Sequence, residues 1–143
     1  MQIREILDQK GRQVVTVRPG ETVRRAARLF VTHGLGVLPV VEDGRLRGIL
    51  SERDALRVAT NDARRWAVTR VSEAMTREVF VVGEDDAVEH VMDLMTRKRI
   101  RHVPVVEEGE LRGLVSIGDV VKAVRGEPEG SRSYRVHRGG ADR

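Results

Sequence analysis

The chain has 143 residues, enough for one domain or for two half-domains that share a core. Hydrophobic residues make up 40% of it, with no apolar run near the length of a membrane span, and the lack of cysteine excludes a disulfide framework and thiolate chemistry. The net charge of +4 sits mostly outside the patterned segments: four arginines stand against Asp62 between Arg57 and Arg70, and five against Glu127, Glu129 and Asp142 from Arg125 onward. The rest of the chain is near neutral and only 3% of residues are aromatic, so a nucleic-acid surface is disfavoured and survives only through the basic connector and tail. Met1 to Glu5 lack the apolar stretch of a secretory signal, and a cytoplasmic location is expected.

In chain order, Ile3 to Gln9 reads as a short amphipathic helix with Ile3, Ile6 and Leu7 as its stripe, stopped at Gly11. Val14 to Val17 reads as a strand. Thr22 then caps a helix whose expected buried face is Val23, Ala26, Ala27, Phe30 and Val31, and Gly34 ends it. Val37 to Val41 and Leu46 to Leu50 read as strands joined by a hairpin turn at Glu42-Asp43-Gly44-Arg45. Ser51 is placed as the cap of a second helix that runs to about Ala59. Thr60 to Trp66 is expected to be a solvated connector, and Val71 to Thr76 a short helical turn. The pattern then resumes with a strand from Val79 to Val82 and a helix from Asp86 to Lys98, with Val88, Val91, Met92 and Met95 inward. The β-branched run Val103, Val105 and Val106 is strand-like, and Glu107-Glu108-Gly109-Glu110 turns it into Leu111 to Val115. Ser116 falls at an N-cap, with Asp119 in the first turn behind it. Beyond Arg125 the glycine, proline and charge content predicts a flexible tail, in which Tyr134 and Val136 are the candidate anchors.

The chain carries this pattern twice. Pro39-Val40-Val41-Glu42 and Pro104-Val105-Val106-Glu107 stand 65 positions apart, and the same offset lays Gly113 on Gly48, Ser116 on Ser51 and Asp119 on Asp54. The register holds without a gap from Val14 on Val79 to Ala59 on Val124. One fixed offset means one β-α-β-β-α unit built twice. The expected organisation is an N-terminal helix (1–13), a first repeat (14–60), a connector (61–78), a second repeat (79–125) and a basic tail (126–143).

Two such units, each with an apolar residue before Pro-Val-Val, an acidic turn and Gly-x-x-Ser-x-x-Asp, resemble a tandem cystathionine-β-synthase (CBS) domain pair of the small stand-alone type. The resemblance spans roughly Val14 to Val124. It implies an α/β (α+β) fold whose repeats pack through their sheets about a pseudo-two-fold axis, with two clefts for an adenosine ligand. AMP, ADP, ATP or NAD are the implied ligands, with S-adenosylmethionine ranked behind them. It also implies a homodimer that modulates a protein partner or its own assembly.

Carried over by position, Asp54 and Asp119 would accept hydrogen bonds from ribose hydroxyls, a sheltered charge-assisted pair worth on the order of 2–3 kcal/mol. Ser51 and Ser116, with the helix N–H groups beside them, would face phosphate oxygens. The backbone of Val37-Leu38 and of His102-Val103 would read the adenine edge. Thr16 takes the place of the family's strand hydroxyl, and Val81 at the matching place lacks one. Arg53 in the first repeat, and Arg101 with His102 in the second, are candidates for the anionic end of the ligand. Beside this stands the plain physical reading: Ser51 and Ser116 as caps, Asp54 and Asp119 as first-turn acids favoured by the helix dipole.

Other chemistry finds little support. Gly34-Leu35-Gly36 lacks the third glycine of a dinucleotide fingerprint, no lysine-bearing phosphate loop is present, and neither serine has a nearby histidine. His33, His90 and His137 are too scattered to suggest a metal set. The expected function is therefore regulatory binding without catalysis. The competing readings are an interaction scaffold with empty clefts and a nucleic-acid binder that uses the connector and tail.

Overall fold

Two hairpins organise the structure, and their turns explain why. Asp43 and Glu108 take φ of 52° and 53°, each followed by a glycine with φ of 79° or 81°, the pair of left-handed residues that a tight two-residue hairpin turn requires. β1 (Val37–Glu42) pairs antiparallel with β2 (Arg45–Ser51), and β3 (His102–Glu107) with β4 (Glu110–Ser116), in equivalent registers: Val37 opposes Ser51 and His102 opposes Ser116. The computed structural model describes residues 1–126 and 133–140 and joins the hairpins into one four-stranded sheet of order β1-β2-β4-β3. The joint is slim. Arg45 opposes Glu110, the Leu46 N–H donates to the Gly109 carbonyl at 3.1 Å, and the Leu111 N–H donates to the Gly44 carbonyl at 3.0 Å. Antiparallel pairing places a local two-fold axis normal to the sheet, which is the pseudo-symmetry implied by the repeated sequence.

α2 (Val23–His33) and α3 (Glu52–Asn61) belong to the first repeat, α5 (Val88–Lys98) and α6 (Ile117–Arg125) to the second. Both α2 and α5 end on a left-handed residue. For α2 it is Gly34, with φ of 63°; for α5 it is Arg99, with φ of 54°. The terminal carbonyls are satisfied alike, by Leu35 N–H to Phe30 at 2.9 Å and Ile100 N–H to Met95 at 3.1 Å. An L-residue with a side chain pays about 1–2 kcal/mol for that conformation, and glycine pays nothing comparable.

The described residues form two cores, and each borrows a segment that precedes the other repeat. α1 (Ile3–Lys10) comes before the first repeat, yet Ile3, Ile6 and Leu7 are buried with Val88, Val91, Met95, Val103, Val105 and Val115 of the second. α4 (Val71–Ala74) comes before the second repeat, yet Val71 is buried among Val23, Ala26, Phe30, Leu38, Val40 and Leu50 of the first. Two glycines in the inner strands permit this exchange. A Cβ on Gly113 would meet Leu7 Cδ2 at 2.7 Å, and one on Gly48 would meet the Thr76 carbonyl oxygen at 2.6 Å.

The structure departs from expectation in several places. Val14–Val17 and Val79–Val82 are not strands; each gives a single parallel bridge, Val17 to Val40 and Val82 to Val105. Those bridges fall where β1 and β3 shift register, and a bulged edge offers pairing to one residue rather than to a run. Val31 is 84% exposed and Ala27 half-buried, because the stripe of α2 that faces the sheet is Val23, Ala26 and Phe30. The connector is more ordered than predicted. α3 runs through Asn61, Asp62 caps a 3-10 turn over Ala63–Ala67, and Trp66 packs half-buried against the first core. α5 starts at Val88, since the Asp86 carboxylate is occupied in accepting the Gly83 N–H at 2.7 Å. Tyr134 and Val136, the candidate anchors on a neighbour, are 81% and 74% exposed on this chain; of the expected flexible tail, residues 127–132 and 141–143 lie outside the described residues. Among the described residues no helix is long and apolar enough to cross a membrane.

The glycine contacts give a stability prediction. Gly48→Ala and Gly113→Ala both destabilise, and Gly48→Ala costs more, roughly 1–3 kcal/mol or above, because its obstacle is a backbone carbonyl rather than a movable leucine tip. Urea unfolding of the two variants checks the order.

Candidate functional site

Each repeat ends its hairpin on a serine that starts a helix. The Ser51 hydroxyl accepts from the Asp54 N–H at 3.1 Å, and Asp54 Oδ2 accepts from the Ser51 N–H at 2.9 Å. In the second repeat Ser116 accepts from the Asp119 N–H at 3.2 Å, and Asp119 Oδ2 from the Ser116 N–H at 2.9 Å. This is a reciprocal capping box with aspartate in the glutamate position. The plain reading of these residues as caps is therefore correct as far as it goes. It leaves Asp54 Oδ1 loosely paired, 3.7 Å from Arg57 Nη1, with further acceptor capacity beside a helix N-terminus.

The two acids differ in their company. At Asp119 a cation arrives from α1: Lys10 Nζ lies 2.7 Å from Asp119 Oδ2 and 3.0 Å from the Leu114 carbonyl oxygen. The 65-residue offset puts Met75 at the equivalent place, against Gly48, so Asp54 meets no such cation. Burial pushes the Asp119 carboxyl up, but the Lys10 hydrogen bond and charge, with the Ser116 N–H, outweigh it and hold the group below its ordinary value. Burial and the Lys10 charge hold His102 below its ordinary value, with Arg101 adding and Asp119 opposing.

Between the repeats lies an open cleft of about 790 Å³. It brings together Val37, Ser51 and Arg53 from the first repeat with Arg101 and His102 from the second. Asp54 stands one hydrogen bond behind Ser51 rather than on the wall. Leu38 and Val103 are fully buried within their strands, Thr16 is half-buried and Val81 exposed, and none of the four lines the cleft. Ser116 does not line it either, and Asp119 faces a separate recess of about 310 Å³ with Lys10, Met1, Gln9 and Lys122. Sequence reasoning missed Lys10, Thr76, Glu78, Phe80 and Arg99, which line one or other cavity. Extending the repeat offset upstream to Lys10 and Met75 would have flagged the first.

The exchanged helices, joined hairpins and twin capping boxes define a tandem two-repeat architecture with a cleft between the repeats. The sequence model of the CBS domain matches residues 3–61 and 71–126, and the chain belongs to the CBS domain family. It is 36% identical over 127 residues to the CBS domain-containing protein YhcV of Bacillus subtilis, covering 88% of this chain and 90% of that one. Among solved structures, the CBS-domain protein ATU1752 of Agrobacterium tumefaciens superposes with a TM-score of 0.78 at 39% identity, covering 87% of this chain and 99% of that one. CBSX2 in complex with AMP matches at a TM-score of 0.74 and 26% identity, covering 87% and 96%. The CBS pair of MJ0100, in complex with 5′-methylthioadenosine and S-adenosyl-L-methionine, matches at 0.74 and 27%, covering 88% and 97%.

Because the folded-state value of His102 lies below the ordinary 6.5, its neutral form stabilises the fold above about that pH, and the contribution is lost as pH falls through the depressed value. Asp119 behaves likewise in more acid solution, below the ordinary 3.8. Lys10→Met should move both groups upward. Titration of the His102 ring by NMR checks this: an unchanged midpoint in the variant would show that Lys10 does not govern the site.

Proposed function

We propose that the chain is a regulatory module that binds an adenosine nucleotide beside its helix N-termini and passes the bound state to its own dimer or to a protein partner, acting in the cytoplasm without catalysis. The observation that carries this reading is the Ser–Asp pair repeated at the start of α3 and α6. Each places a hydroxyl, a helix N-terminus and a carboxylate within one turn, which suits a phosphorylated ribose. The AMP complex of one structural relative and the methylthioadenosine and S-adenosylmethionine complex of another support an adenosine ligand, and leave S-adenosylmethionine level with the nucleotides rather than behind them.

The two acids are unequal by chemistry. A ligand at Asp54 meets a carboxylate with only a loose arginine neighbour, whereas one at Asp119 must share the acid with Lys10. The first-repeat site is therefore expected to be the tighter for the ribose, and the second to favour a ligand whose phosphate answers Lys10. Association into a homodimer would cover the apolar residues left on the outer helix faces, among them Val31, Leu56 and Val124. Light scattering that finds a monomer throughout the micromolar range would count against the dimer.

Calorimetry with AMP, ATP and S-adenosylmethionine tests the binding reading. Asp54→Ala and Asp119→Ala should each weaken one site by roughly 30- to 150-fold, with a cap loss of about 1 kcal/mol in stability. Asp→Asn at the same positions keeps an acceptor for the serine N–H and separates the two effects. Full affinity in the Asp54→Ala, Asp119→Ala double variant would overturn the assignment.

A further inference from the structure

We infer that the cleft between the repeats is built for a ligand with a chain of phosphates, and that Arg99 sets its preference for such a ligand over a nucleoside monophosphate. This rests on the nucleotide reading above. Three arginines stand on the cleft wall: Arg53 from α3, and Arg99 and Arg101 from the turn between α5 and β3. Among the described residues none of their guanidinium groups has an ion pair or a hydrogen bond. Other arginines of this surface do find acids, as Arg4 does with Asp85, Arg12 with Asp8 and Glu84, and Arg97 with Asp93, while Arg24, Arg28 and Arg65 do not. The acids on the cleft wall are Glu52 and Glu78, and neither engages these arginines. His102 adds a fourth basic group that an incoming anion would help to protonate.

The backbone supplies an independent observation. Arg99 is left-handed at the position that the first repeat fills with Gly34, and the helix ends are hydrogen-bonded alike. Glycine would serve the cap at lower conformational cost. The carboxyl end of α5 already carries Arg97 and Lys98, so the helix dipole does not call for a third cation. What residue 99 adds is a planar, doubly donating cation on the cleft wall, the group best matched to phosphate oxygens. The cations come from opposite repeats, so a ligand that answers all of them carries several anionic groups rather than one. A single phosphate held by Ser51 and Arg53 leaves the second-repeat arginines unanswered; a di- or triphosphate does not.

The test is calorimetry of the full chain with AMP, ATP and inorganic tripolyphosphate, on the wild type, Arg99→Gly and Arg99→Asn, with thermal melting of each. Wild type should bind ATP at least about tenfold more tightly than AMP, and tripolyphosphate should displace ATP. Both variants should lose about tenfold for ATP while AMP stays within about twofold, and Arg99→Gly should melt no lower than wild type. Asparagine, which tolerates the left-handed backbone, controls for loosening of the turn. If the wild type binds AMP, but the variants keep full ATP affinity or lose AMP and ATP equally, this inference is overturned and the nucleotide reading stands. If the wild type binds neither nucleotide, both fall.

Discussion

The structure depends on an exchange: neither hairpin with its two helices closes its own core. Ile3 and Leu7 are fully buried in the second repeat and Val71 in the first, each side chain worth roughly 1.5–3 kcal/mol of burial. Gly48 and Gly113 are what let these segments lie directly on the inner strands. The same exchange assembles the walls of the cleft and of the recess. The end of α1 delivers Lys10 to Asp119, and the chain leaving α4 carries Thr76, Glu78 and Phe80 onto the wall of the shared cleft. Since the sheet joint is only one residue pair long, the repeats are held in register chiefly by these crossing segments.

The capping boxes tie folding to chemistry. Ser51 and Asp54 hold each other in place, so the carboxylate is oriented before any ligand arrives and little ordering entropy is spent on binding. The same economy means that truncating any of these four residues to alanine alters the cap and the polar groups beside it together. Arg99 is different, because its guanidinium has no hydrogen bond or ion pair and the conformational cost there lies in the backbone.

Much of this was legible in the sequence. The repeat offset, the Asp-Gly and Glu-Gly turns and the serine caps are local signals, read from a few adjacent residues, and the structure honours each. The amphipathic stripe of Ile3, Ile6 and Leu7 revealed that α1 packs but not upon what, because periodicity carries no address. The valine runs at Val14 and Val79 have strand composition, yet pairing depends on what edge is available, and the bulges at Val40/Val41 and Val105/Val106 leave room for one bridge. The placing of Phe80 follows from the exchange and was out of reach for the same reason, whereas the repeat offset, carried upstream, reaches Lys10.

The crossing of α1 bears on how the chain is made. During synthesis the first repeat and its borrowed α4 emerge in sequence and can close together, whereas Ile3, Ile6 and Leu7 must wait for β4 and α6, more than a hundred residues later. Until then an apolar stripe travels uncovered with a half-finished protein, within reach of chaperones and of neighbouring chains on the same messenger. The return of the first helix therefore has to await the second repeat, and only with it does Lys10 reach Asp119, so the recess beside α6 takes shape late.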